Sequence, residues 1–285
     1  MVDSQSAARG LAGATVRGSF AVDQVGDGTW RGRKCDPLGG RLYGGTLAAQ
    51  LLAAARAATL GPTRSSNVEL RFLHPADGGL PVDYHVERTH DGKSSAVRRV
   101  VATQNERTVA VGTVGFYTPR AGGWFHGRHR EAEQPEALPE TGLPHRSRAV
   151  TADHFDIRYY DESTEEGLVR RLWFRALEDL PAEAAVHECV LTFFSDIYFY
   201  EPICLEHGYQ GNDRTIRYGT THHSMWFHQP PVADDWLLIE SRSPVITGGR
   251  GLVYGQVRTM RGDPVATIVQ QVAISLVPTA GHREA

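Results

Sequence analysis

Two residues of this 285-residue chain stand where simple packing would not put them. Asp196 follows the apolar run VLTFF (190–194), at the C-terminal end of a helical stretch, where the helix dipole disfavours a carboxylate. Gln270 lies inside the apolar stretch PVATIVQQVAISL (264–276), where a buried amide without partners costs about 1–3 kcal/mol. A carboxylate can take a proton and an amide can both donate and accept, the parts needed to hold and activate a water. His222, His223 and His228 crowd the segment between them. Adjacent strand residues face opposite sides, so these imidazoles do not converge, and no metal is expected. Cys35, Cys189 and Cys204 are odd in number and far apart, which suits neither a disulfide framework nor a zinc site. The G-x-S-x-G elbow, the G-x-G-x-x-G turn and the Walker A loop are absent from the sequence.

Positioning such groups requires a sizeable core, and 41% hydrophobic residues supply one. The 30 basic and 33 acidic residues nearly cancel, which removes the electrostatic reason for binding nucleic acid. No apolar run reaches the roughly 18 residues that span a membrane, and none opens the chain as a signal peptide, so a cytoplasmic location is expected.

The chain repeats itself. In the first half GGTLAAQLLAAARAATLG (44–61) is a helix apolar on most faces. Strand-type stretches follow at 67–75, 82–90, 95–104 and 108–118. In the second half Pro181 is placed to start a helix through AEAAVHECVLTFFS, with Glu183 in its first turn. Strands are expected next at 215–228, 236–246, 251–260 and 264–276. An offset of about 155 sets Phe72 opposite Phe227 and Pro75 opposite Pro230. Residues 121–150, rich in Gly, Pro, His and charge, read as a linker. An α+β double hot dog follows, each unit a long antiparallel sheet around a central helix: 1–120 and 151–285. The halves differ in the connection from helix to first strand, which is short in one and runs from Tyr200 to about Asp213 in the other.

HHSMWFHQP (222–230) resembles the motif of the type II, TesB-like acyl-CoA thioesterases. GGRLYGGTLAAQ (39–50), HDGKSSAVRRVVATQN (90–105), FFSDIYFYEP (193–202), GGRGLVYG (248–255) and VATIVQQ (265–271) are similar to family segments in the same order. The resemblance implies hydrolysis of a fatty acyl-CoA by a water held by Asp, Thr and Gln, here Asp196, Thr220 and Gln270. Without it, Thr220 is an ordinary β-branched strand residue. Relatives carry Asp where this chain has His222. Alternation puts Thr220, His222 and Ser224 on one face, so His222 is the histidine expected to approach the site.

The substrate of that reaction is an anionic thioester, and no cofactor is called for. Backbone N–H groups of Gly44 and Gly45, at the positive end of the first helix, are candidate oxyanion donors. Arg250 in GGRG is the candidate for a CoA phosphate. Of Arg98 and Arg99, adjacent on a strand, at most one can meet a given ligand. Ser65 and Val114 fall opposite Thr220 and Gln270, so one active site per chain is expected. Exposed sheet edges point to a homodimer or larger assembly. Two other readings stand beside this one: a noncatalytic acyl-CoA binder on the same fold, and a double-hot-dog enoyl-CoA hydratase. The hydratase motif, an Asp followed by a suitably spaced His, is missing after Asp196.

Overall fold

A computed structural model describes residues 15–35, 40–61, 64–122, 127, 131–139, 154–206, 208 and 216–276. The first half opens with the short helix α1 (Val16–Phe20) and the hairpin β1 (Val22–Gly26) and β2 (Thr29–Gly32). The core helix α2 (Gly44–Ala57) follows, then a meander of β3 (Arg64–Phe72), β4 (Val82–Asp91), β5 (Ser95–Gln104) and β6 (Arg107–Tyr117). The second half repeats the plan with the hairpin β7 (Phe155–Thr164) and β8 (Gly167–Ala176), then helix α3 (Ala184–Phe194) and the short α4 (Glu201–Glu206). Its meander is β9 (Ile216–Phe227), β10 (Leu237–Thr247), β11 (Arg250–Thr259) and β12 (Pro264–Leu276).

All twelve strands join one antiparallel sheet in the order β1-β2-β4-β5-β6-β3-β9-β12-β11-β10-β8-β7. The halves meet where β3 pairs with β9, from Asn67 opposite Trp226 to Arg71 opposite His222. Helices α2 and α3 pack against each other at that seam. Tyr43 donates its hydroxyl to the Phe193 carbonyl at 2.7 Å, and a side chain at Gly45 would strike the same carbonyl, so the approach requires glycine. This is the double hot dog expected from the repeat.

Several elements differ from expectation. The hairpins β1–β2 and β7–β8 lack a clean apolar alternation. In β8 the buried Arg170 pairs with Asp161 of β7 at 2.7 Å and with Glu201, while Arg171 pairs with Glu162 and Glu240. Partnered charges thus sit where a binary pattern expects apolar residues. Helix α3 begins at Ala184 with Glu183 as its N-cap, so Pro181 and Glu183 both precede the helix. Part of the linker is packed: Leu138 is buried with Trp173, Trp236 and Leu238, and the Trp173 indole donates to the Glu133 carbonyl at 2.8 Å. Residues 123–126, 128–130 and 140–150 of the linker lie outside the described residues, as do 207 and 209–213 of the long connection. The described part of that connection forms α4.

Candidate active site

Asp196 lies just past α3, whose C-cap is Ser195. The dipole penalty there is offset by the opposite end of α2. The Gly45 amide donates to the Asp196 carboxylate, and a side chain at Gly44 would stand only 2.5 Å from Asp196 Oδ2. The tight contact of α2 with α3 therefore brings a positive helix end to a negative one, with the carboxylate between them. This narrows the candidate oxyanion donors at the start of α2 to Gly44: the Gly45 N–H already serves Asp196, and of the two only Gly44 lines the adjacent cavity.

Behind Asp196 runs an unbranched hydrogen-bond chain. Thr220 Oγ1 donates to Asp196 Oδ1 at 2.9 Å, and Gln270 Nε2 donates to Thr220 Oγ1 at 2.8 Å. His223 Nδ1 meets Gln270 Oε1 at 2.9 Å, and His223 Nε2 meets Ser195 Oγ at 3.0 Å. Gln270 and His223 are fully buried, whereas Asp196 and Thr220 face a cavity of about 600 Å³. Gln270 therefore reaches that cavity through Thr220.

A β-bulge makes this chain possible. In β9 against β12, Thr220 pairs with Val272, His222 with Gln271 and His223 with Gln270, which leaves Thr221 as the extra residue. The bulge resets the alternation and turns Thr220 and His223 to the same, inner face. His222 consequently lies on the outer face, bonded to Ser224 Oγ at 2.9 Å, which corrects the expectation that it approaches Thr220. Simple parity fails because one inserted residue shifts it by one.

Burial raises the Asp196 pKa above the ordinary carboxylate value, while His223, the Thr220 hydroxyl, Arg41 and the Gly45 amide all oppose that shift. Burial likewise lowers the His223 pKa, against the pull of Asp196 and Gln270. Tyr43, buried beside Asp196, is pushed well above its usual range and stays protonated.

The cavity is lined by Arg41, Phe72, His74, Tyr200 and Tyr218 in addition to Gly44, Asp196 and Thr220. Arg41 is the cation on this wall, and sequence reasoning missed it, although it stands three residues before Gly44. Arg250 is exposed at the start of β11 and bonds the Gly249 carbonyl; it pairs in the sheet with Ala273, a lining residue, but is not itself on the wall. Arg98 and Arg99 do face opposite ways: Arg98 is buried against Asp91, and Arg99 meets Glu87 at the surface. Among the described residues no group of three His, Cys, Asp or Glu side chains could hold a metal ion, and no helix is long and apolar enough to cross a membrane.

Comparison with known proteins decides the family. Residues 33–117 match the acyl-CoA thioesterase N-terminal domain, and residues 128–274 match the acyl-CoA thioesterase C-terminal domain. The chain belongs to the TesB-like, type II acyl-CoA thioesterases. Among its relatives is acyl-CoA thioesterase 2 of Haemophilus influenzae, 25% identical over 88% of this chain and 93% of that one. Human acyl-coenzyme A thioesterase 8 is 27% identical over 90% of this chain and 88% of its own length. The crystal structure of the acyl-CoA thioesterase II TesB2 of Mycobacterium marinum is similar with a TM-score of 0.81 and 25% identity, over 93% of this chain and 99% of that one. Both matched domains contribute to this cluster: Gly44 and Gly45 lie in the first, and Asp196, Thr220 and Gln270 in the second.

Proposed function

We propose that this chain hydrolyses fatty acyl-CoA to free fatty acid and CoA, using a water held by Asp196 and Thr220, with Gln270 orienting Thr220 from behind rather than touching the water. One observation carries the reading: a buried carboxylate, anchored on one oxygen by a threonine–glutamine relay, faces a cavity large enough for a ligand. Asp196 takes a proton from the water as its oxygen attacks the thioester carbonyl. The Gly44 amide, at the positive end of α2 and on the cavity wall, is the donor in place for the oxyanion. Collapse of the tetrahedral adduct breaks the C–S bond, and the proton on Asp196 passes to the departing CoA sulfur. No covalent enzyme intermediate is required.

Arg41 on the wall is the first cation for a CoA phosphate, with Arg250 further out. Phe72, Tyr200 and Tyr218 give the acyl chain an apolar surface. Residues 1–120 and 151–285 act as two units sharing one site, and chains associate through the sheet edges at β1 and β7. The test is a steady-state assay of CoA release over a panel of acyl chain lengths. Saturable release that disappears in Asp196→Asn supports the reading; saturable binding without release overturns it in favour of a noncatalytic binder.

A further inference from the structure

His223 is fully inside the protein, yet a packing role does not explain an imidazole there. In the first half β3 carries the same bulge, with Ser66 as its extra residue, and the position matching His223 is Val68. Val68 pairs with Val114 as His223 pairs with Gln270, and both valines are fully buried. An aliphatic pair thus fills this place in the fold. What the imidazole adds is direction. We propose that His223 is a positioning residue that sets the donor-to-acceptor direction of the chain Gln270–Thr220–Asp196, and thereby keeps Asp196 an acceptor-only carboxylate.

The argument is one of counting protons. The Gln270 amide oxygen only accepts, so at 2.9 Å the His223 Nδ1 must donate to it. The Gln270 NH₂ then faces Thr220 Oγ1, and the single Thr220 proton is left for Asp196 Oδ1. Asp196 accepts that bond and the Gly45 amide, which suits an ionised carboxylate. Move the imidazole proton to Nε2 and every link reverses. Gln270 turns its NH₂ to Nδ1, Thr220 donates to the amide oxygen, and Asp196 must carry a proton of its own to stay bonded to Thr220. A protonated Asp196 cannot take a proton from water. Ser195 Oγ, 3.0 Å from Nε2 and 2.9 Å from the Thr192 carbonyl, has one proton for the two; turned to Nε2, it holds the imidazole proton on Nδ1.

This inference rests on the reading of Asp196, Thr220 and Gln270 as the water-activating groups, and its test separates the two. His223→Leu, His223→Asn and His223→Gln are compared in the full chain by CoA release from a saturating acyl-CoA. The asparagine amide can replace the donor at Nδ1, whereas the longer glutamine reaches towards Ser195 instead. His223→Leu is expected to lower kcat about tenfold with KM changed by less than about twofold, because only the alignment of the base is lost. His223→Asn should restore kcat to within about threefold of wild type, and His223→Gln should not. In a Gln270→Ala background His223→Leu should add nothing, since its effect passes through that amide. Wild-type kcat in His223→Leu, equal losses in Asn and Gln variants, or fully additive losses with Gln270→Ala each overturn the proposal. If the leucine variant does not fold, the Asn and Gln pair decides alone. Wild-type turnover in Gln270→Ala overturns the broader reading together with this one, whereas an impaired Gln270→Ala beside an active His223→Leu overturns only the role of His223.

Discussion

The molecule holds two matching junctions, and only one carries a polar relay. At the first, Asp196, Thr220, Gln270 and His223 form a polar relay beside a cavity of about 600 Å³. At the second, Ser65 stands where Thr220 does and donates to Glu188 Oε2 at 2.6 Å, beside a cavity of about 650 Å³. A hydroxyl–carboxylate pair and a cavity are therefore present twice. The relay is not: the matching positions hold the aliphatic Val68 and Val114. Glu188 also belongs to α3 itself, while Asp196 sits past the helix end against the α2 amides. The difference teaches that the relay, more than the pocket or the paired hydroxyl, is what sets the first junction apart, and the proposed water activation rests on it.

The strongest way to break the comparison is Asp196→Asn, which keeps the shape and removes the base. Its kcat/KM should fall by about 100-fold or more. Because burial raises the Asp196 pKa, the wild-type rate should rise with pH through a limb lying above the ordinary carboxylate value, as the charged base forms. That limb should vanish in Asp196→Asn; its survival would assign the base elsewhere. Gln270→Ala comes next, with kcat down about tenfold and the thermal transition retained. The matching change Val114→Ala should do the converse, lowering stability through the cavity it opens while leaving kcat within about twofold.

At the second junction Ser65→Ala and Glu188→Gln should each leave kcat within about twofold of wild type. A nonhydrolysable acyl-CoA analogue should titrate to about one equivalent per chain at the site that Asp196→Asn disables, by the asymmetry of the two relays. Two equivalent catalytic sites, each abolished by changes in its own half, would erase the distinction drawn between the junctions.

Much of this asymmetry is already legible in the chain. The run VLTFF before Asp196 showed a carboxylate in an unfavourable dipole, and the structure supplies the offset in the α2 amides. Gln270 stood out as an amide in an apolar strand, and its partners are Thr220 and His223. The repeat followed from the recurring order of elements, and its two core helices from runs of helix formers that are apolar on most faces or open after a proline. Other features were hidden for physical reasons. The hairpin β7–β8 buries Arg170 and Arg171 on opposite faces of β8, and only their acidic partners, far off in sequence or on the neighbouring strand, make that tolerable. The bulge at Thr221 has no glycine to mark it, and it exchanges the faces of His222 and His223. Arg41 gives no local signal because its place on the wall depends on the tertiary contact of α2 with α3.

The smallest expected effect sharpens the comparison at its edge. His222 stands where the resemblance to the TesB-like motif leads one to expect Asp, which invites the idea that it alters catalysis. Its place in the sheet argues otherwise. It lies opposite Arg71 of β3 and Gln271 of β12, bonded to Ser224, and the sheet separates it from the relay on the inner face. Burial and the Arg71 charge both lower its pKa, so the ring is neutral near pH 7 and places no charge behind Asp196. An aspartate there would stand opposite Arg71 and gain an ion pair at the sheet surface, worth about 0.2–1 kcal/mol when exposed. His222→Asp should therefore raise the melting temperature slightly and change kcat by less than about threefold, with the acid limb of the pH profile unmoved. A shift of that limb in His222→Asp would show that the outer face of β9 couples to Asp196, and the inner relay would no longer account for the site alone.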